Sequence, residues 1–290
     1  MRTPLLKKTI IFLAVFLALV LGLFLSRPSW RFWEKKPNLL AINSVNKESL
    51  NQLVVTKEGS ETKIAKINSQ WQIGNFKADE KVVSNCLDLL LSLKKDTLAS
   101  TNKEKFSKYD ISDKSSKIKL ASGNKMSATV LIGKSGPTYG TNYFQIEGED
   151  RVWLSGDNLV TACQPPEWRD MTIFSFDTQK VKSYQLQESG NNYTLKKNGV
   201  QWELDGQANK KMVGEKVSSI LYAFASLKAK DLLVAEKDTS QFSAVITATV
   251  TLEDEKKYSL QIGAPLTNAT DSDFKAKSED EKIIYLISST

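Results

Sequence analysis

The 290-residue sequence contains no histidine. A histidine general base, a Ser-His-Asp triad and histidine-ligated metal sites are therefore excluded. Cysteine is nearly as scarce, because Cys86 and Cys163 are the only two. Two thiols so far apart in sequence do not indicate a disulfide framework or a zinc cluster. The apolar stretch around Cys86 is instead typical of a small buried hydrophobic side chain.

Most of the chain also lacks an excess of either charge. The net charge is +7, but residues 1–36 contain seven basic residues and one acidic residue and account for +6 of it. The remaining 254 residues therefore have a net charge of only +1, which argues against a nucleic-acid partner. The basic excess flanks an apolar segment, where we expect it to meet anionic lipid headgroups.

That apolar segment is Thr9 to Leu25, 17 residues without a charge. As a helix it would span about 25 Å, near the lower limit for crossing a hydrocarbon core. Trp30, Phe32 and Trp33 suit the headgroup region that follows. A cleaved signal peptide is the alternative, but the segment continues into LFLSRPSW rather than into the small residues that cleavage prefers. The sequence therefore predicts an uncleaved, single-pass membrane anchor.

The orientation of this anchor follows less directly from charge. Basic residues flank both of its ends, so the positive-inside rule is nearly balanced. The short basic leader, followed at once by the apolar segment, favours the N-terminus inside. We therefore expect the rest of the chain to lie outside the cytoplasm, at the cell membrane.

An internal repeat is the most informative feature of the remaining sequence. Trp71 in SQWQIG matches Trp202 in VQWELDG. Beyond these tryptophans, apolar positions match at a constant offset of 134 residues, as a duplicated unit would. The matching pairs are Val83 and Val217, Ser84 and Ser218, Leu87 and Leu221, Leu90 and Phe224, and Leu93 and Leu227.

Each copy has the pattern of antiparallel strands, one amphipathic helix and further strands. The predicted buried face of the second helix comprises Val217, Ile220, Leu221, Phe224 and Ala225. Because both copies combine sheet and helix, we predict an α+β fold in which a transmembrane helix precedes two similar β-rich repeats. The predicted divisions are residues 1–36 for the anchor and its flank, 37–165 for the first repeat, and 166–290 for a linker and the second repeat.

Two sequence patterns imitate catalytic motifs. Gly133-Lys134-Ser135 is similar to the end of a phosphate-binding loop, but that motif needs a glycine where this chain has Ala128. We predict that Gly133 instead ends a strand in a turn. Acidic clusters could serve glycoside hydrolysis, but turn acids beside lysines are typical of a solvated surface. These clusters are Glu149-Asp150, Asp254-Glu255 and Glu279-Asp280-Glu281.

The sequence Trp168-Arg169-Asp170, in the linker, is the polar cluster that most suggests a binding site. Arg169 could bind an anionic ligand or partner while Trp168 stacks against it. Alternatively, Arg169 and Asp170 tie the linker to the sheets and Trp168 fills the seam between the copies, which is the interpretation we favour. The repeated tryptophans Trp71 and Trp202 are predicted to be core residues.

The layout of these elements resembles the bacterial domain of unknown function 4340 family across roughly residues 50–230. The stretches that carry the resemblance are Trp71 to Leu93, Leu131 to Gly133, Tyr143 to Leu154, Trp168 to Asp170, and Trp202 to Leu227. The chain departs from the family in reading Lys108-Tyr109-Asp110-Ile111 where Tyr-Gly-Leu is usual. The resemblance implies one N-terminal membrane segment and a large extracytoplasmic part. For some members it also implies genes beside auxiliary subunits of ABC transporters of the kind associated with gliding motility.

Two hypotheses follow from the sequence. The first is a non-enzymatic, membrane-anchored extracytoplasmic protein of the bacterial envelope that binds another protein, as an accessory component of an ABC-transporter-like complex. It has no catalytic residues and requires no cofactor or metal ion. The second is an envelope ligand-binding protein or glycan-acting enzyme that uses carboxylates and exposed tryptophans.

Overall fold

The computed structural model describes residues 42–95, 97–123, 125–234, 242–266, 273–278 and 283–288. The predicted membrane anchor, Thr9 to Leu25, lies outside these residues. Among the residues described, no helix is both long enough and apolar enough to cross a membrane.

The first part of the chain forms a nine-stranded, mostly antiparallel sheet with the strand order β4-β3-β2-β1-β6-β7-β8-β9-β5. Helix α1 (Glu80–Leu91) connects β4 to β5, and the short helix α2 (Leu159–Cys163) follows β9. The strands are β1 (Gln52–Lys57), β2 (Ser60–Ile67), β3 (Gln70–Ile73), β4 (Phe76–Lys77), β5 (Thr97–Ser100), β6 (Ser116–Ser122), β7 (Lys125–Ser135), β8 (Asn142–Ile146) and β9 (Val152–Ser155).

A second nine-stranded sheet has the order β13-β12-β11-β10-β15-β16-β17-β18-β14, which repeats the first order strand for strand. Helix α3 (Gly214–Ala225) occupies the place of α1, between β13 and β14. The strands are β10 (Val181–Glu188), β11 (Asn191–Asn198), β12 (Gln201–Leu204), β13 (Gln207–Lys211), β14 (Asp231–Val234), β15 (Ile246–Leu252), β16 (Lys257–Pro265), β17 (Asp273–Ser278) and β18 (Ile283–Ser288). The predicted α+β class is confirmed.

The hairpins of both sheets turn at residues that tolerate a left-handed backbone. Glu58-Gly59 and Ser189-Gly190 have positive φ angles at the equivalent first hairpin of each sheet. Glycine adopts these angles without steric cost. Short 3₁₀ helices at Ile42–Ser44, Lys47–Ser49, Lys103–Tyr109 and Thr178–Lys180 complete the described elements.

Contacts along the chain define two compact units that do not coincide with the two sheets. Of the residues described, one unit contains residues 42–61 together with those between Leu87 and Thr161, and the other contains Thr62–Cys86 together with those from Ala162 onward. Strands β3 and β4 and the first turns of α1 therefore belong to the second unit. The proposed division between residues 165 and 166 stays a prediction.

The core of the second unit is built on helix α3 and the inner face of the second sheet. Val217, Leu221 and Phe224 are buried on one face of the helix, as their spacing predicts. The ring of Phe224 stacks on that of Phe174 from the linker, with the ring centroids 5.0 Å apart. Trp202 is buried in the same cluster, and Trp71 is buried in its own sheet. Their prediction as core residues is confirmed.

One residue of the predicted buried face is not buried. Ile220 is 45% exposed, although it has the helical spacing of its buried neighbours. Its counterpart in the first copy, Cys86, is fully buried. Periodicity predicts which residues share a helix face, but it does not predict whether another segment covers the edge of that face.

The two cysteines are joined in a disulfide, with their Cα atoms 4.9 Å apart. Cys86 is buried as predicted, but the interpretation that two thiols so far apart in sequence do not indicate a disulfide is wrong. They are 77 residues apart in sequence. The fold brings the middle of α1 against the end of α2, and sequence distance carries no information about that approach.

Gly133 lies within strand β7 rather than in the predicted turn. The 3₁₀ helix Lys103–Tyr109 approaches the strand at this position. A Cβ atom at residue 133 would lie 2.1 Å from the backbone oxygen of Tyr109 and 3.0 Å from the side chain of Ile111. The glycine is therefore required for backbone packing, which accounts for its place beside Lys134 without a phosphate-binding role.

This packing predicts the effect of Gly133→Ala. Because the clash involves backbone, it cannot be relieved by rotating a side chain, and we expect the free energy of unfolding to fall by about 1–3 kcal/mol. Gly156→Ala is the matched control, since no atom lies within 4 Å of the added Cβ. Urea denaturation of both variants measures the difference. Equal stability of the two variants would contradict the close approach.

Candidate functional site

The predicted site residues Trp168, Arg169 and Asp170 form a short strand against the residues that lead into helix α1. The backbone nitrogen of Asp79 donates to the oxygen of Trp168 at 2.8 Å, and the nitrogen of Asp170 donates to the oxygen of Lys77 at 2.8 Å. Ala78 and Arg169 pair as an antiparallel bridge. The linker thus extends the edge of strand β4.

The next residues of the linker pair with the segment that follows helix α3. The nitrogen of Ile173 donates to the oxygen of Leu227 at 2.9 Å, and the nitrogen of Ala229 donates to the oxygen of Met171 at 2.7 Å. Thr172 and Lys228 form an antiparallel bridge. The linker is therefore held by backbone hydrogen bonds before helix α1 and after helix α3.

The guanidinium group of Arg169 is engaged in two ion pairs. Its Nη2 atom lies 2.6 Å from Oε2 of Glu167, and its Nη1 atom lies 2.9 Å from Oδ1 of Asp231. The Nε atom also donates to Oε1 of Glu167 at 3.0 Å, so the contact with Glu167 is bidentate. The group lies 5.5 Å from the centre of the Phe76 ring. Such planar, two-point pairing is the geometry that arginine makes best.

Glu167 organises the start of the same strand. Its Oε1 atom accepts hydrogen bonds from the backbone nitrogens of Trp168 and Arg169, at 2.9 and 2.8 Å. The hydrogen bond from the Arg169 side chain holds the pKa of the Glu167 carboxyl below its ordinary value, although partial burial acts in the opposite direction. The same hydrogen bond raises the pKa of the Arg169 guanidinium. Glu167 was not among the predicted site residues. The one sequence feature that could have identified it as a partner of Arg169 is its position two residues earlier.

The other two predicted residues have local roles as well. Trp168 is buried. Asp170 accepts a hydrogen bond from the backbone nitrogen of Thr172 at 3.0 Å, which turns the chain after the strand. These contacts favour the interpretation of Trp168, Arg169 and Asp170 as residues that fix the linker.

A groove of about 720 Å³ opens beside this strand. Its lining includes three lysines, three carboxylates and two aromatic rings, namely Lys77, Lys81, Lys228, Asp79, Glu80, Asp170, Trp71 and Phe174. Asp79 also caps helix α1, because its Oδ1 atom accepts from the backbone nitrogens of Lys81 and Val82 at 2.9 and 3.2 Å. The mixed charges and the two aromatic rings can accommodate a polar ligand or an extended peptide. The residues described contain no group of three metal-binding side chains.

The acidic clusters considered for glycoside hydrolysis form ion pairs with lysines. Glu149 pairs with Lys95, Asp150 with Lys103 at 2.7 Å, and Glu255 with Lys182. The third cluster, Glu279-Asp280-Glu281, lies outside the described residues. The Asp150–Lys103 and Glu255–Lys182 pairs are exposed, as is typical of a solvated surface, whereas the Glu149–Lys95 pair is partly buried.

A family described as "Domain of unknown function (DUF4340)" matches residues 71–245. The chain belongs to this family. The DUF4340 region begins at Trp71 and includes helices α1, α2 and α3 and the whole linker, so the resemblance inferred from the motifs is confirmed. No curated protein and no solved structure matches the chain.

The pairing within the DUF4340 linker predicts a pH dependence. Because the folded-state pKa of Glu167 is depressed, its contribution to stability is complete above about pH 4.5 and is lost as the pH falls through the folded value. Glu167→Gln should therefore lower the melting temperature at pH 7, and the difference from wild type should narrow towards pH 3. Melting curves across this range measure it. Glu61→Gln, at an exposed position, is the control, and a Glu167 difference that stays constant with pH would refute the ion-pair interpretation.

Proposed function

We propose that this DUF4340 protein is a non-enzymatic, membrane-anchored extracytoplasmic protein of the bacterial envelope. In this proposal it acts as a protein-binding accessory component of a membrane complex of the ABC-transporter type. The apolar segment Thr9 to Leu25 would hold it in the membrane, with the two sheets outside the cytoplasm. The family resemblance supports the same arrangement.

The buried Cys86–Cys163 disulfide is the observation that carries the proposal furthest. Disulfides form and persist in oxidising compartments outside the cytoplasm, whereas cytoplasmic reductants keep thiols reduced. Both sulfur atoms belong to residues that are closed to solvent, which is the setting of a structural bond rather than a reactive one. A structural disulfide supports an extracytoplasmic location independently of the apolar segment.

The protein-binding part of the proposal is supported by how the polar linker residues are used. Arg169 has its guanidinium group committed to Glu167 and Asp231 within the chain. The described tryptophans, Trp71, Trp153, Trp168 and Trp202, are buried. These side chains therefore serve packing, as they would in a scaffold that presents its surface to another protein.

The groove favours the second candidate function, ligand binding or glycan chemistry. Asp79 and Asp170 lie in its wall together with Trp71, and carboxylates beside an aromatic ring suit a sugar. Both carboxylates already accept backbone hydrogen bonds, so we rank this candidate second. Calorimetric binding of cell-wall glycan fragments, weakened by Asp170→Asn, would place it first.

The location can be tested through the disulfide. Intact cells are quenched rapidly with acid, and the protein is denatured and treated with a thiol-reactive polyethylene glycol. The full-length protein should remain unmodified, because both thiols are in the disulfide. After a reductant is added, it should gain two polyethylene glycol tags. Removal of residues 1–36 should retain the chain in the cytoplasm, and it should then gain two tags without reductant. Cys86→Ser, which leaves one thiol, calibrates the gel. Two tags on the unreduced full-length protein would contradict the proposed location.

The partner is tested by affinity purification of the full-length protein from membranes in mild detergent. We expect subunits of one membrane complex to accompany it in a fixed ratio. A tagged fragment of residues 1–36 is the control, because it should insert in the membrane without recruiting that complex. If the full-length protein is recovered alone, or with the same proteins as the control, the accessory role is refuted.

A further inference from the structure

Because the fold is duplicated, the sheet edge that leads into helix α1 can be compared with the equivalent edge that leads into helix α3. The linker lies along the first edge, and no described segment lies along the second. In the first copy the nitrogen of Ala78 donates to the oxygen of Trp71 at 2.8 Å, and in the second copy the nitrogen of Met212 donates to the oxygen of Trp202 at 2.9 Å. The two backbones therefore occupy equivalent positions, 134 residues apart. Ala78 is covered by the linker strand and is buried, whereas Met212 is 39% exposed.

The hydrogen bonding of the two edges differs in the same way. The nitrogen of Asp79 donates to the oxygen of Trp168 in the linker strand. Its equivalent, Val213, has an extended backbone with φ −69° and ψ 110°, and no described residue accepts from its nitrogen. The Val213 side chain is 58% exposed. An extended edge with an available N–H group is a template for an added strand.

The helix beside each edge shows a third difference. Cys86 of α1 is buried and bonded to Cys163, from the segment that leads into the linker. The equivalent position in α3 is Ile220, which is exposed. The neighbouring positions Val83 and Val217 are buried in both copies. The two helices therefore differ on the side that the linker covers in the first copy.

We propose that the uncovered edge, defined as Lys211–Val213 together with Ile220, binds an extended segment of a partner protein. The segment adds a short antiparallel strand, accepts a hydrogen bond from the nitrogen of Val213, and places an apolar side chain against Ile220. This inference rests on the proposed accessory function and names the surface through which it acts.

The occupant is identified by what covers the equivalent edge in the first copy. There a strand with a buried aromatic residue, Trp168, lies along residues 77–79, and a second residue of the same segment covers position 86. Strand addition obtains its affinity from backbone hydrogen bonds and its specificity from alternate side chains. The exposed apolar side chains of Met212, Val213 and Ile220 require such an apolar counterpart.

Val213→Pro tests the strand directly. Proline fixes φ near the angle that Val213 already has. It removes the N–H group and replaces an exposed side chain with its ring. The free protein should therefore keep its melting temperature, while the added strand loses its hydrogen-bond donor. Val213→Ala is the matched control, because it shortens the side chain and retains the N–H group. If the proline variant folds poorly, Ile220→Asp tests the apolar contact at an exposed position, with a photocrosslinking benzoylphenylalanine then placed at position 212, where Met212 is 39% exposed. An adduct at position 212 that Ile220→Asp does not weaken would overturn the inference.

The readout is photocrosslinking in the full-length protein in its native membrane. A benzoylphenylalanine residue at position 220 should form an adduct with one segment of one membrane-complex protein, identified by mass spectrometry. Position 67 is the control site, because Ile67 is 48% exposed in the equivalent sheet of the first copy. Adding Val213→Pro to the position-220 variant should lower the adduct yield about tenfold, the effect of one lost hydrogen bond in binding.

The outcomes separate this inference from the proposed function. An adduct with a second copy of this chain, with lipid alone, or with nothing would overturn the inference, as would an adduct unaffected by Val213→Pro. If the membrane complex still accompanies the protein in these cases, the accessory role stands and only the surface is wrong. If no complex accompanies the wild type, the proposed function itself fails.

Discussion

Four backbone hydrogen bonds hold the segment that connects the two sheets in sequence, and they explain how a polar linker can be partly buried. Two of them join Trp168 and Asp170 to residues 77–79, and two join Met171 and Ile173 to residues 227–229. Each satisfies a peptide group that would otherwise cost free energy on burial. The Arg169 ion pairs and the ring contacts of Phe174 depend on this register, since a shift by one residue would turn the side chains to the opposite face.

Much of the fold could be predicted from the sequence, because the duplication repeats the sequence patterns of its strands and helix. Trp71 and Trp202 mark the same strand, and the apolar spacing of Val83, Leu87 and Leu90 recurs in α3 with the same offset. Each signal alone is weak, but their common order specifies a repeated sheet with one helix. The structural interpretation of Trp168, Arg169 and Asp170 could also be reached from the sequence, because a linker with aromatic, cationic and anionic residues needs partners for all three.

Other features depend on tertiary contacts that no local pattern encodes. Cys86 and Ile220 have the same helical spacing, yet one is bonded to Cys163 and the other is exposed. The difference arises from a segment some 80 residues further along the chain. Gly133 looked like a turn residue because its partner, the backbone of Tyr109, is identified only once the fold is known. The groove beside Asp79 is likewise formed by tertiary packing. Its lining residues come from separate segments, so no sequence motif predicts it.

The composition of the second unit has a consequence for the order of folding during synthesis. Residues 62–86 are made early, but the unit they belong to is completed only by residues from 162 onward. Vectorial folding, in which the N-terminal part finishes before the C-terminal part emerges, is therefore impossible for this segment. Until the second copy is made, Phe76 lacks the core against which it packs, and Cys86 has no disulfide partner before Cys163 is made. A chain truncated after the first sheet would lack that core permanently, and we expect it to be a substrate for chaperones and proteases rather than an independent domain.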